Sequence, residues 1–160
     1  MAAECELLAT PFGRVELWVQ HGHVCRIVLS PEPVSSQRAP TAALALRECN
    51  PLKGQIERYL QDPKQAFDWE IPADGTTFQH HVWDALKSIP SGEVRTYGEL
   101  ARALGSGARA VAAACRANRW PLLIPCHRVI SATGEGGFCG HTTGPYLAIK
   151  RWLLAHEGRC

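Results

Sequence analysis

Apolar spacing in this 160-residue chain changes period at Pro72-Ala73-Asp74-Gly75, and that change points to two parts built differently. Before it, residues 11–30 alternate. Val15, Leu17 and Val19 share one side of a strand, His21-Gly22 supply a turn, and Cys25, Ile27 and Leu29 share one side of a second strand. Pro31, Pro33 and Pro40 with paired serines mark a loop. A helix is expected from about Thr41 into the forties, and another from Leu52 to Leu60, stopped by Asp62-Pro63. Phe67, Trp69 and Ile71 alternate again and predict one more strand. After the junction the spacing is helical: Phe78, Val82, Trp83 and Leu86, then Tyr97 to Leu104, then Ala108 to Ala117, and finally Ile149, Trp152, Leu153 and His156. The expected fold is an α/β N-terminal domain over 1–74, a small antiparallel sheet with helices, and a mainly α-helical C-terminal domain over 75–160. The two short helices flanking Gly105-Ser106-Gly107 are a helix-turn-helix candidate, winged-helix-like in type.

With 46% hydrophobic and 20% charged residues, the chain has the composition of a globular protein. No apolar run approaches a membrane span, and Glu4 with Cys5 disfavours a signal peptide, so a soluble intracellular protein is expected. Seven cysteines, odd in number and irregularly spaced, read as free thiols in a reducing compartment. Net charge is only +2, yet between Glu93 and Arg128 six arginines (Arg95, Arg102, Arg109, Arg116, Arg119 and Arg128) face two acids, Glu93 and Glu99. Such a stripe fits a phosphate-binding face, and also a plain solvated surface. On the helix from Ala108, one side carries Ala108, Val111, Ala112 and Cys115 and is expected to face the core. The other carries Arg109, Ala110, Ala113, Arg116 and Ala117. Small residues flanked by arginines suit close approach to a phosphate-lined groove, although an alanine-rich helix of high propensity has the same composition.

The chemistry concentrates in Leu122-Leu123-Ile124-Pro125-Cys126-His127-Arg128-Val129-Ile130. A thiol becomes nucleophilic as its thiolate, and a free cysteine ionises only slightly at neutral pH. His127 is a candidate base, directly or through a water, and Arg128 adds positive charge. Glu157, in Ala155-His156-Glu157-Gly158, is the candidate that orients the base. A Cys-His pair alone also fits a thiol hydrolase.

The segment Ile124 to Ile130 resembles the active-site signature of the O6-alkylguanine-DNA alkyltransferases. The likeness extends to Thr10-Pro11-Phe12-Gly13, Tyr59-Leu60, Phe78 with Val82-Trp83, Gly92-Glu93-Val94 before Thr96-Tyr97, Ala108-Arg109-Ala110-Val111, and Trp152 to Gly158. It thus covers nearly the whole chain.

The resemblance implies direct reversal of damage in duplex DNA by irreversible, single-use transfer of the alkyl group from O6-alkylguanine, and from O4-alkylthymine, to Cys126 after base flipping. It implies His127 as the base acting through a water, Glu157 as its holder and Tyr97 as the proton donor to the departing guanine. DNA contacts fall to Arg109, which fills the vacated stack, with Ala110, Ala113, Arg116 and Asn118, the last linking the recognition helix to the cysteine segment. Tyr97, Pro121, Val129, Gly137, Phe138 and Cys139 are expected to line the lesion pocket. No cofactor is required. Some members hold a structural zinc, for which Cys5 and Cys25, with His21, His23, His80 and His81, are candidate ligands here. The expected partner is double-stranded DNA containing O6-alkylguanine, met by a monomer, with no membrane involved, in the cytoplasm of a prokaryote or the nucleus of a eukaryote. Departures are the short Gly105-Ser106-Gly107 turn, Arg119-Trp120 in place of a proline, and a longer Phe138–Tyr146 segment, with Trp120 a candidate obstruction at the pocket rim. The alternative is an alkylguanine-recognition protein without repair activity, against which Cys126 argues. A transcriptional regulator normally carries longer base-reading side chains than these alanines.

Overall fold

A computed structural model describes residues 4–21, 23–34, 50–71, 74–134, 136–138 and 143–158. The expected helix in the forties and Cys139 lie outside them. The chain divides into two compact units, Met1–Pro72 and Ala73–Cys160.

The first unit carries a three-stranded antiparallel sheet in the order β1 (Glu4–Thr10), β2 (Gly13–Gln20), β3 (His23–Ser30). Val15, Leu17 and Val19 are buried as their alternation requires. The partner face is not the expected one throughout. The register shifts between Trp18 and Val19, so that Trp18 faces Arg26 while Val19 faces Val24. Cys25 is the extra residue of this bulge, and a bulge of one residue moves every later side chain to the opposite face. Val24 is therefore buried in place of Cys25, whose thiol turns to the carbonyl of Trp18 at 3.3 Å.

Helix α1 (Asn50–Gln61) buries Leu52, Ile56 and Tyr59 along one stripe. Its Lys53 reaches the buried Glu6 of β1 at 3.3 Å, which ties helix to sheet. The segment with Phe67, Trp69 and Ile71 is not a strand. The Gln55 side chain accepts from the Asp68 N–H at 2.7 Å and donates to its carbonyl at 3.0 Å. Phe67 lies on Tyr59 with ring centroids 5.5 Å apart. A side chain thus satisfies the backbone groups that a ladder would have taken.

In the second unit, α2 (Thr77–Lys87) and α3 (Tyr97–Leu104) each begin with a reciprocal capping box, Thr76 with Gln79 and Thr96 with Glu99. Such a cap contributes about 1 kcal/mol. Gly105 ends α3 in the left-handed conformation, φ +64, which a side chain would oppose. After two more residues α4 (Ala108–Arg116) begins. It buries Val111 and Ala114, while Ala108 is exposed and Cys115 half-buried. The buried stripe is therefore rotated from the expected one, and on its buried side the Ala114 carbonyl accepts the indole N–H of Trp83 at 3.0 Å.

Strand β4 (Arg95–Thr96) pairs in parallel with β5 (Val129–Ile130), which follows a 3₁₀ turn at Cys126–Arg128. This pairing joins the start of α3 to the end of the cysteine segment. Helix α5 (Pro145–His156) closes the unit and buries Leu147, Ile149, Lys150, Leu153 and Leu154. Trp152 and His156, expected with the apolar stripe, are half-buried and stack at 4.7 Å.

Candidate active site

The cysteine segment is held from both ends. Residues 120–127 are buried, so their backbone groups need internal partners. Ile124 N–H bonds the Trp120 carbonyl at 2.9 Å, and Leu122 adopts φ +77 between them. A branched residue in that region stores roughly 1–3 kcal/mol, retained only where the surroundings over-determine the conformation. Asn118 supplies much of that determination. Its N–H bonds Cys115 O at 3.2 Å, its side-chain oxygen accepts from Trp120 N–H at 2.9 Å, and its amide nitrogen donates to Ile124 O at 2.9 Å. The same side chain lies close enough to the Cys126 thiol to act on its ionisation. One asparagine thus connects the end of α4 to the thiol.

Cys126 is buried, and burial pushes its pKa up; Asn118 and the positive charge of Lys150 act against that shift. His127, 1% exposed, places Nε2 at 2.8 Å from Glu157 Oε2, while its buried Nδ1 has no hydrogen-bond partner among the described residues. The network therefore assigns the proton to Nε2 and leaves Nδ1 as the acceptor. Burial lowers the His127 pKa, and the Glu157 contact opposes the fall.

Arg128 has a different part from the expected one. Rather than supplying charge to the thiol, it grips Glu157 in a fork, Nε to Oε1 and Nη2 to Oε2, both at 2.9 Å, and donates from Nη1 to Ile89 O at 2.7 Å. The positive charge felt at Cys126 comes from Lys150, which nothing in the local sequence around the cysteine indicates. Lys150 is fully buried, and its Nζ bonds Val129 O at 2.6 Å and Gly137 O at 3.1 Å. The detectable signal was a lysine on the buried stripe between Leu147 and Leu153.

Tyr97, at the first position of α3, is half-buried, and its pKa rises to about 12, first by burial and then by negative charge at Cys115 and Cys126. Cys115 rises to about 12 for the same reasons. Tyr97, Cys115, Cys126 and Lys150 thus form one electrostatic cluster. Gly136 lies against the tyrosine: a Cβ there would meet the ring at 3.0 Å and the hydroxyl at 3.4 Å. Of the expected pocket residues, Val129 and Gly137 meet at Lys150 through their carbonyls, and Phe138 and Pro121 are buried. Trp120, expected at the rim, is 1% exposed and packs edge-on against Trp83 with centroids 6.0 Å apart. It is core, and cannot be the obstruction.

Arg109, Ala110, Ala113 and Arg116 are all exposed on one side of α4, and Asn118 is half-buried at its end. The candidate zinc ligands do not assemble: among the described residues no group of three or more His, Cys, Asp or Glu could hold a metal ion. Cys5 and Cys25 bond backbone carbonyls, Glu6 O at 3.9 Å and Trp18 O at 3.3 Å. Nor is any helix among the described residues long and apolar enough to cross a membrane.

A buried thiol beside a carboxylate-held imidazole is an arrangement that suits a cysteine nucleophile, and the exposed, arginine-flanked alanine face in the same unit suits a nucleic-acid partner. The comparisons narrow this reading. The family model "6-O-methylguanine DNA methyltransferase, DNA binding domain" matches residues 77–159. The human methylated-DNA–protein-cysteine methyltransferase is 34% identical over 177 residues, spanning 99% of this chain and 84% of the relative. The constitutive Bacillus subtilis enzyme of the same name is 33% identical over 154 residues, 92% of this chain and 91% of the relative. Among solved structures, Mycobacterium tuberculosis O6-methylguanine methyltransferase has a TM-score of 0.76 at 30% identity, covering 99% of this chain and 94% of that one. The same species' OGT in complex with DNA scores 0.73 at 33% identity, covering 94% and 90%. The chain belongs to the O6-methylguanine-DNA methyltransferase family.

Proposed function

We propose that this chain is a methylated-DNA–protein-cysteine methyltransferase that moves the alkyl group from O6 of guanine in duplex DNA onto Cys126, one lesion per molecule. The observation that carries this reading is the couple behind the thiol: His127 Nε2 on Glu157 at 2.8 Å, with Nδ1 left to take a proton.

The thiol proton passes to His127 Nδ1 through a water, and the imidazolium is stabilised by Glu157. The sulfur, its charge eased by Asn118 and Lys150, displaces guanine from the alkyl carbon; a C–S bond forms as the C–O6 bond breaks. Guanine is a poor leaving group as an anion, and Tyr97, protonated at any physiological pH, supplies a proton to the ring. No step restores the thiol, because a thioether offers no low-barrier reversal. The protein is its own acceptor and needs no cofactor.

Access to a stacked base requires flipping. Helices α3 and α4 act as a helix-turn-helix on the 73–160 unit, and the exposed Ala110 and Ala113 let α4 lie close to the DNA, with Arg116 on phosphate. Arg109 fills the space left by the flipped base, and Asn118 passes the state of α4 to Cys126. O4-alkylthymine meets the same chemistry. Titrating O6-methylguanine duplex with the protein tests the reading: repair should saturate at one lesion per molecule, and Cys126→Ala should bind duplex without repairing it. Repair by Cys126→Ala, or multiple turnovers, would overturn it.

A further inference from the structure

The turn at residues 89–92 touches the imidazole–carboxylate couple at two points. Ile89 O accepts Arg128 Nη1 at 2.7 Å, and Arg128 in turn holds both oxygens of Glu157. Three residues later, Gly92 has φ +88, and a Cβ placed there would lie 2.9 Å from the backbone carbonyl oxygen of Glu157. The turn therefore meets Glu157 from the side-chain side through Arg128 and from the backbone side by direct approach. Glu157 needs such support, because it follows the last residue of α5, where helices fray. Its own N–H bond to Leu153 O, at 3.0 Å, fixes the backbone but not the direction of the carboxylate.

We infer that Gly92 is a positioning residue for alkyl transfer: its missing side chain lets the 89–92 turn seat against Glu157, and that seating sets the carboxylate on His127. The inference rests on the proposed role of Cys126 as acceptor. It separates cleanly from the demand for glycine made by φ alone. Gly144 has the same φ of +88 but nothing within 4 Å of an added Cβ. Gly144, at ψ −160, lies where only glycine is at ease, so Gly144→Asn carries backbone strain of its own without a collision, and only Gly92→Asn meets Glu157. A collision with backbone cannot be relieved by a rotamer change, so Glu157 or the turn must move.

The test uses the full chain, with thermal unfolding as the check that each variant is folded. Two pH profiles are measured: alkylation of the Cys126 peptide by iodoacetamide, followed by mass spectrometry, and single-turnover methyl transfer from duplex DNA. Gly92→Asn should shift both profiles to higher pH and slow both reactions about tenfold near neutrality, the order expected for one weakened charge-assisted hydrogen bond. Gly144→Asn should leave the iodoacetamide profile in place. The double variant Gly92→Asn/Glu157→Gln should be no slower than Glu157→Gln alone, since both losses act through one contact. A glycine inserted after Ser91 unseats the turn without a collision, in a loop position that tolerates added length, and should give the same upward shift. An unmoved profile in the insertion variant or in folded Gly92→Asn, or additive losses in the double variant, would overturn the inference. If the wild type transferred no methyl group while the iodoacetamide profiles separated as described, the repair reading would fail and only the seating of Glu157 on His127 by Gly92 would stand.

Discussion

Glu157→Gln changes one atom at the centre of the site, and the geometry sets the consequence. Three donors converge on this carboxylate: His127 Nε2 at 2.8 Å, and Arg128 Nε and Nη2 at 2.9 Å each. A glutamine amide offers one acceptor oxygen and turns an NH₂ toward the remaining donors, whichever way it is oriented. At least one donor then loses its partner and faces another donor. Breaking a buried ion pair from one side costs roughly 3–5 kcal/mol; with the Arg128 side chain 12% exposed, the lower end, about 3 kcal/mol, is expected. Thermal unfolding should drop by on the order of 10 °C. For the reaction, the His127 pKa is lowered by burial and raised by Glu157. Removing the negative charge lowers it further, so His127 becomes a weaker base and thiol deprotonation moves to higher pH. Exchanging a charged for a neutral acceptor is worth about 1–2 kcal/mol, or roughly 5- to 30-fold in rate at pH 7. Single-turnover transfer from O6-methylguanine duplex between pH 6 and 9, in buffer that keeps the variant folded, checks this. Wild-type rates with an unshifted profile would refute the assignment of Glu157 to His127.

Three further outcomes follow from the same geometry. The His127 pKa lies below its ordinary 6.5 in the folded chain, so the unfolded chain binds a proton at higher pH and stability falls on acidification below about pH 6.5, by at most ~1.4 kcal/mol per pH unit; urea unfolding of His127→Gln should lack that part of the slope, and equal slopes in both proteins would contradict it. Arg109→Ala should slow repair of duplex far more than reaction with free O6-alkylguanine base, because only the duplex requires unpairing, worth a few kcal/mol; equal losses would show a structural role. Trp120→Val should destabilise the protein by roughly 3 kcal/mol through the cavity it leaves against Trp83, without changing the methyl-transfer activity that remains after pre-incubation with excess O6-benzylguanine; a change in that residual activity would return Trp120 to the rim.

The features legible in the sequence were those fixed by neighbours in the chain. Helix α3 could be bounded at both ends because Gly105 follows its last turn and Thr96 stands before its first. The Cys126-His127 pair and Glu157 stood out because polar groups with complementary chemistry sat in apolar surroundings. What escaped depended on distant partners. Strand β1 is hard to see because Glu6 occupies a buried position, and its ion-pair partner Lys53, at 3.3 Å, is forty-seven residues further along. The displacement of Cys25 follows from a single bulge, and the 67–71 segment lost its ladder to Gln55. Lys150 reads as an intrusion in α5 until Val129 O and Gly137 O are brought to its ammonium. Arg128 looked like a charge for its neighbour Cys126, yet its fork is occupied by Glu157, twenty-nine residues away.

The most direct test of the central claim is peptide mass spectrometry after incubation with one equivalent of duplex DNA carrying a single O6-methylguanine. One methyl group on the peptide containing Cys126, none on the one containing Cys115, and unmodified guanine recovered in the DNA are the predicted results. A methyl group on any other residue, or repaired DNA with an unmodified protein, would contradict the account.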